Sequence, residues 1–324
     1  MTGRAGMERL NRFPQFLAEV DGVELHFVHL VGEAVGRRPL LLTHGWPGSH
    51  REFWEVAEKL AFPSRHGGRT QDAFDLVIPS LPNFGFSAKP ERTIDQRATA
   101  ALLDGLMTRV LGYGRYHAHG GDWGALVTSQ LALHHAEHLR AIHLTMMFPH
   151  PTAQPETAEE ERWADAMRRL EQPMRGYSHL QGSRPQSLSW AVGDSPVGQA
   201  AWILERFHDW ADLRDRAFEE VFSREELLDT LMIYVMTGAF HSSIRFYSAA
   251  TEAELRSLSP GQRVDVATAF ACFPDPLHPW PPRSYVEKGF NVSRWTAMPR
   301  GGHFPALEAP DLLVEDLREW ARSA

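Results

Sequence analysis

Cysteine is nearly absent from this chain. Cys272 is the single one in 324 residues, so no internal disulfide can form. One lone thiol suits a reducing compartment, and the sequence reads as cytoplasmic. No apolar run approaches the roughly 20 residues of a membrane span, and the N-terminus lacks the apolar core of a signal peptide. Long basic runs are missing too. With 41 acidic against 33 basic residues the formal net charge is -8, which argues against nucleic acid as a partner. Internal repeats and low-complexity tracts are also lacking. What remains is an ordinary globular composition, 43% hydrophobic and 23% charged. Its length suits one large α/β domain with an insertion, or two modest domains.

Strands and helices alternate through the first half. Residues Gly22 to Leu30 alternate in polarity as a strand does. Pro39 to Thr43 is a continuous apolar run, as in a parallel strand buried on both faces. It ends in His44-Gly45-Trp46-Pro47-Gly48-Ser49, where Ser49 and Glu52 have the spacing of a capping box for a helix from His50 to Leu60. Phe74–Pro79 reads as a strand, Asp95–Leu111 as a helix, Arg115–His119 as a strand, Ala125–Leu139 as a helix and Arg140–Met146 as a strand. Beyond residue 150 the pattern turns helical, with starts marked by Asp194-Ser195-Pro196 and by Ser223 with Glu226. Strands return at Val264–Cys272 and Phe290–Ala297, and Ala309–Arg322 reads as a closing helix. The expected architecture is α/β, with a mostly parallel central sheet. Its core comprises residues 11–150 and 261–324, residues 151–260 form an inserted helical lid, and residues 1–10 form a flexible N-terminus.

The chemistry is concentrated in His119-Gly120-Gly121-Asp122-Trp123-Gly124, which joins a strand to a helix through Gly-x-Asp-x-Gly. That is the pattern of a nucleophile elbow, in which glycines relieve collisions around a strained central residue. A serine at its centre makes acyl-enzymes. A carboxylate attacks an electrophilic sp³ carbon instead, giving an alkyl ester that water must cleave. Taken alone, the six residues fit a glycine-rich turn with a solvated Asp equally well. A base is expected after the last strand, where His303 stands in Gly301-Gly302-His303-Phe304. The carboxylate that orients it is expected after the strand ending at Cys272, and Asp275 in Phe273-Pro274-Asp275-Pro276 fills that place. Asp265 lies at the wrong end of its strand, and after Met146 no carboxylate occurs before Glu156. The backbone N–H groups of Trp46 and Trp123 are positioned to form an oxyanion hole. His134-His-Ala-Glu-His138 matches a zinc-protease pattern and would place two histidines on one helix face. It sits far along the helix from Asp122, so neither metal nor cofactor is expected.

His44-Gly-Trp-Pro-Gly-Ser49, His119-Gly-Gly-Asp-Trp-Gly124 and Arg300-Gly-Gly-His-Phe304 resemble the microsomal-type epoxide hydrolases. Arg12-Phe-Pro-Gln-Phe16 and Asp194-Ser-Pro-Val-Gly198 do so too, and the likeness runs from Asn11 to Trp320. The resemblance implies an α/β-hydrolase fold and cofactor-independent hydrolysis of a small epoxide to a vicinal diol through an Asp ester. It also implies two lid tyrosines that hydrogen-bond the epoxide oxygen, at the positions of Tyr177 and Tyr247. Tyr234, amid apolar neighbours, reads as core. The sequence departs from the family in having little ahead of Arg12, and the family's acid aligns one residue away from Asp275. Two alternatives stay open: a haloalkane dehalogenase with the same Asp, His and acid, and a non-catalytic receptor for small molecules on the same fold. Oligomeric state cannot be read from these motifs.

Overall fold

Runs of apolar residues with no polar alternation must be covered on both sides, and the central strands obey this. Pro39–Thr43, Asp75–Pro79 and Tyr116–Gly120 are buried at every position. The computed structural model describes residues 3–36 and 38–323. It contains one eight-stranded sheet: β1 (Gln15–Val20), β2 (Val23–Leu30), β3 (Pro39–Thr43), β4 (Asp75–Pro79), β5 (Tyr116–Gly120), β6 (Leu139–Leu144), β7 (Val264–Cys272) and β8 (Phe290–Ala297). The strand order is β1-β2-β4-β3-β5-β6-β7-β8. The pairs β1–β2 and β2–β4 are antiparallel and all others parallel. This is the α/β-hydrolase fold.

The period of two divides side chains between two apolar layers. Leu41, Val77 and Ala118 face one cluster, while Leu40, Leu42, Leu76 and Ile78 face the other. Helices α1 (Gly3–Leu10), α2 (Trp54–Ala61), α3 (Gln96–Gly105) and α4 (Asp122–His134) belong to the first half of the chain. Between β6 and β7 come α5 (Ala158–Met174), α6 (Gly176–Ser183), α7 (Pro185–Val192), α8 (Pro196–Trp210), α9 (Phe218–Val221), α10 (Arg224–Thr237), α11 (Ala239–Ser243) and α12 (Arg245–Glu252). Ser195 caps α8, and the Ser223–Glu226 box at α10 closes in both directions. The last elements are α13 (Arg283–Val286), α14 (Pro305–Glu308) and α15 (Pro310–Ser323). No single helix among the described residues is long and apolar enough to cross a membrane.

Four local readings change. Residues 1–10, expected to be loose, contain α1. Arg9 donates to both Asp229 oxygens on α10, at 2.9 and 2.6 Å, and its carbonyl accepts from Trp54 Nε1. Strand β1, half-exposed at the sheet edge, has no clean alternation. It pairs with β2 through the two-residue turn Asp21-Gly22, both at positive φ, as a tight hairpin requires. Ser49 accepts from the Arg51 N–H and starts a 3₁₀ turn over His50–Phe53, so the capping box with Glu52 does not form. Helix α4 stops at His134 because β6 begins at Leu139, and His138 falls in a separate turn. His134 and His138 therefore share no helical face. Instead His138 and His135 lie 2.9 and 3.4 Å from Asp104 oxygens.

Candidate active site

Asp122 is held at φ 49° where β5 turns into α4. A carboxylate residue in the left-handed region is strained, and close packing on both sides imposes that geometry. A Cβ on Gly124 would come within 2.1 Å of the Thr43 carbonyl oxygen, and one on Gly45 within 2.1 Å of Asp122 Oδ1. Only glycine at those positions lets the β3 loop close onto the elbow. There the Trp46 N–H donates to Asp122 Oδ1 at 2.8 Å. Trp123 follows directly in the first turn of α4.

His303 approaches from the loop between β8 and α14. Its Nδ1–H donates to Asp275 Oδ2 at 2.7 Å, and Nε2 lies 3.2 Å from Asp122 Oδ2. The other oxygen of Asp275 accepts from the N–H groups of Leu277 and His278, at 2.7 and 3.1 Å, which fixes the carboxylate at the end of β7. The His303 loop is anchored from below by the buried Glu308 carboxyl, which accepts from Asp212, Gly302 and Phe304 N–H groups at 2.7–2.8 Å. Burial alone would weaken His303 as a base. The Asp275 charge and the hydrogen bonds that His303 donates to Asp122 and Asp275 outweigh burial and push its pKa up to about 10. The resting imidazole is therefore protonated, between two carboxylates. Asp275 is likewise held below the usual carboxylate range, the His303 charge overcoming its burial.

Tyr177 on α6 and Tyr247 on α12 come down over this cluster. Tyr177 stacks on Trp46 with ring centroids 5.7 Å apart, Tyr247 meets Trp123 edge-on at 4.6 Å, and the two tyrosine rings are 5.8 Å apart. Both are buried, and burial together with the Asp122 charge raises their pKa values, so both hydroxyls keep their protons. The Tyr247 hydroxyl lies beside the Tyr177 hydroxyl and the Trp123 indole. Tyr234 is core as expected, donating to the Gly48 carbonyl oxygen at 2.8 Å. Asp122 thus separates two spaces. One, about 20 Å³, is lined by Gly45, Glu52, Asp122 and His303 and has room for a water. The other, about 90 Å³, lies under the tyrosines.

Sequence reasoning missed Glu52. Its carboxyl enters the small cavity beside Asp122 and His303, through space left by Gly48, where a Cβ would stand 2.2 Å from Glu52 Oε2. Burial, then the Asp122 charge, raises its pKa well above the ordinary value, so the group is neutral. A carboxylate four residues past a glycine-rich anion loop was the available signal, and the Ser-x-x-Glu spacing diverted it to a helix cap. Arg256 and Arg175, which line the larger cavity, were also missed.

The fold and this cluster define an enzyme class, the α/β-hydrolases, here with an aspartate at the elbow. Residues 38–174 match the family model for the alpha/beta hydrolase fold, and residues 4–53 match that for the epoxide hydrolase N terminus. The chain is 33% identical over 345 residues to epoxide hydrolase 1 of Sus scrofa, covering 98% of this chain and 76% of that protein. The solved structure of Aspergillus niger epoxide hydrolase matches with a TM-score of 0.83 and 29% identity, over 100% of this chain and 82% of that one. Juvenile hormone epoxide hydrolase from the silkworm Bombyx mori matches at 0.86 and 26%, over 99% and 81%. The chain belongs to the epoxide hydrolase family.

Proposed function

We propose that Asp122 opens the epoxide and that His303 completes the reaction by hydrolysing the resulting ester. The observation that supports this most strongly is the placement of Asp122 Oδ2 3.2 Å from His303 Nε2 while Oδ1 is held by the Trp46 N–H. With the epoxide under Tyr177 and Tyr247, an Asp122 oxygen forms a bond to a ring carbon as the ring C–O bond breaks. The oxygen takes a proton from a tyrosine, which regains one from water. The product of this step is a neutral alkyl ester on Asp122. Alkylation removes the Asp122 charge and its hydrogen bond with His303 while those of Asp275 remain, so the His303 pKa falls and the imidazolium can release its proton and act as a base.

Water in the small cavity, between His303 and Glu52, loses a proton to His303 and adds to the ester carbonyl. The backbone N–H groups of Trp46 and Trp123 stabilise the oxyanion. On collapse the ester C–O bond breaks, and the departing alkoxide takes the remaining water proton from the new carboxyl group. The diol leaves with an original Asp122 oxygen, with Asp122 again a carboxylate and His303 protonated. Asp275 holds the His303 tautomer and its positive charge. In this reading residues 151–260 form a lid that closes over the substrate, and a small epoxide needs neither metal nor cofactor here. The buried single cysteine fits a cytoplasmic location.

The test is a single turnover in isotopically heavy water. Heavy oxygen should appear in the Asp122 carboxylate and not in the first diol released. Heavy oxygen in that diol would make Asp122 a base for direct water attack. The dehalogenase alternative retains one supporting feature, the buried Nε1–H groups of Trp46, which has no partner among the described residues, and of Trp123, which faces the Tyr247 hydroxyl; the two could hold a halide. Running bromoalkanes beside epoxides, with halide and diol measured separately, separates the two.

A further inference from the structure

Arg256 takes no part in the chemistry above, yet it stands in the substrate cavity. It lines the larger space with Asp122, Tyr177 and Tyr247. Its guanidinium carbon lies 5.2 Å from the Trp123 ring centre and 5.8 Å from that of Tyr247. The Nε–H donates to Thr251 Oγ1 at 3.3 Å, and among the described residues neither terminal nitrogen has a hydrogen-bond partner and no carboxylate pairs with the group. Aromatic faces attract a guanidinium but do not replace an anion.

Apart from Asp122, the rest of that wall is cationic or neutral. Arg175 lines the same space and donates to His278 Nδ1 at 3.3 Å. His150 and His278 line it as well. Burial drives both histidines down, His150 to about 4 with the Arg175 and Arg256 charges adding to it, and His278 well below its ordinary value despite the opposing Asp275 charge. A hydrocarbon epoxide would bring nothing to satisfy Arg256. A planar anion would, because two parallel N–H groups of a guanidinium match the two oxygens of a carboxylate.

Resting on the reading of Asp122 as nucleophile, we propose that this cavity takes epoxides bearing a carboxylate a few bonds from the ring, with the terminal nitrogens of Arg256 holding the carboxylate. The short reach follows from the contact between Arg256 and Trp123, the residue next to Asp122. The Arg256 charge also offsets the repulsion between the substrate anion and Asp122, which would otherwise oppose attack.

The test compares 3,4-epoxybutanoate with 3,4-epoxybutanamide, a pair of nearly equal size that differs in charge, with styrene oxide as a third substrate. The wild-type protein should hydrolyse the acid with the higher kcat/KM, and Arg256→Met should lower the acid-to-amide ratio about 10- to 100-fold, mostly through the KM for the acid. Arg256→Lys should restore part of that ratio. An amide hydrolysed as well as the acid by the wild type, or a ratio unchanged in Arg256→Met, overturns the proposal and leaves Arg256 as packing for Trp123 and Tyr247. The wild-type comparison decides the matter even if the Met variant does not fold. Diol from styrene oxide but from neither member of the pair overturns the anionic substrate and leaves the Asp122 mechanism standing. Diol from none of the three overturns both.

Discussion

His303 Nε2 faces Asp122 Oδ2 across 3.2 Å, so the proposed base and the proposed nucleophile are in direct contact. The raised His303 pKa makes this an ion pair at rest, and in the proposed mechanism alkylation of Asp122 is the event that dissolves it. Under that proposal timing is built into the site, because His303 would become a base only once there is an ester to hydrolyse.

Removing the base should separate the two half-reactions. His303→Gln leaves the Asp122 carboxylate in place and is expected to open one equivalent of epoxide, then stop. Intact-mass measurement should show the protein heavier by one substrate molecule, with the adduct mapping to Asp122. Normal turnover by this variant, or bound substrate with no adduct, would show that these roles are misassigned.

The proposed role of the tyrosines lies in the first half-reaction. Tyr177→Phe or Tyr247→Phe should each slow ring opening by about 10- to 1,000-fold, the range for one lost transition-state donor, and the double variant should nearly abolish it. Rapid-quench measurement of ester formation is the direct readout. A double variant that forms ester at the wild-type rate removes the tyrosines from the mechanism.

What the sequence disclosed follows from how local each signal is. Strands β3, β7 and β8 have the expected bounds, since their runs of apolar or β-branched residues end at glycine, proline or charge. Asp122, His303 and Asp275 were visible because each sits in a short turn of glycine or proline at a strand end, and the fold brings those ends together. Strand β1 escaped because an edge strand with exposed Phe16 and Leu17 lacks alternation, although Asp21-Gly22 marked its hairpin. Glu52 and Arg256 escaped for a different reason. Their meaning depends on which cavity their side chains enter, and that is decided by packing between distant segments. A helix of ordinary composition carries no local mark of it.

Glu52 offers a test of the water site. A neutral carboxyl beside the small cavity can donate to an attacking water or accept from it, which gives it a proposed role in positioning that water for the second half-reaction. Glu52→Ala should slow ester hydrolysis about 10- to 100-fold while ester formation changes little, so the alkyl-enzyme accumulates. Glu52→Gln, which keeps a donor and an acceptor in the same volume, should be milder. Equal slowing of both half-reactions in the Ala variant would instead assign Glu52 to packing beneath the Trp46 loop.

The last expectation concerns stability against pH. An unfolded histidine titrates near about 6.5, whereas His303 in the fold is raised to about 10. The folded state therefore holds this proton more tightly than the unfolded chain does. Its stabilising contribution is full below about pH 6.5, declines as pH rises through the interval, and is gone above about 10. The physical source is the pair of carboxylates, Asp275 and Asp122, that face the imidazolium from opposite sides. His303→Gln removes the titration while leaving lysine and tyrosine ionisation common to both proteins. Between about pH 7 and about pH 10 the Tm of the wild type should thus fall more steeply than that of His303→Gln. Parallel curves would mean that the imidazole is already neutral at pH 7, and the release of a proton on alkylation would have no basis.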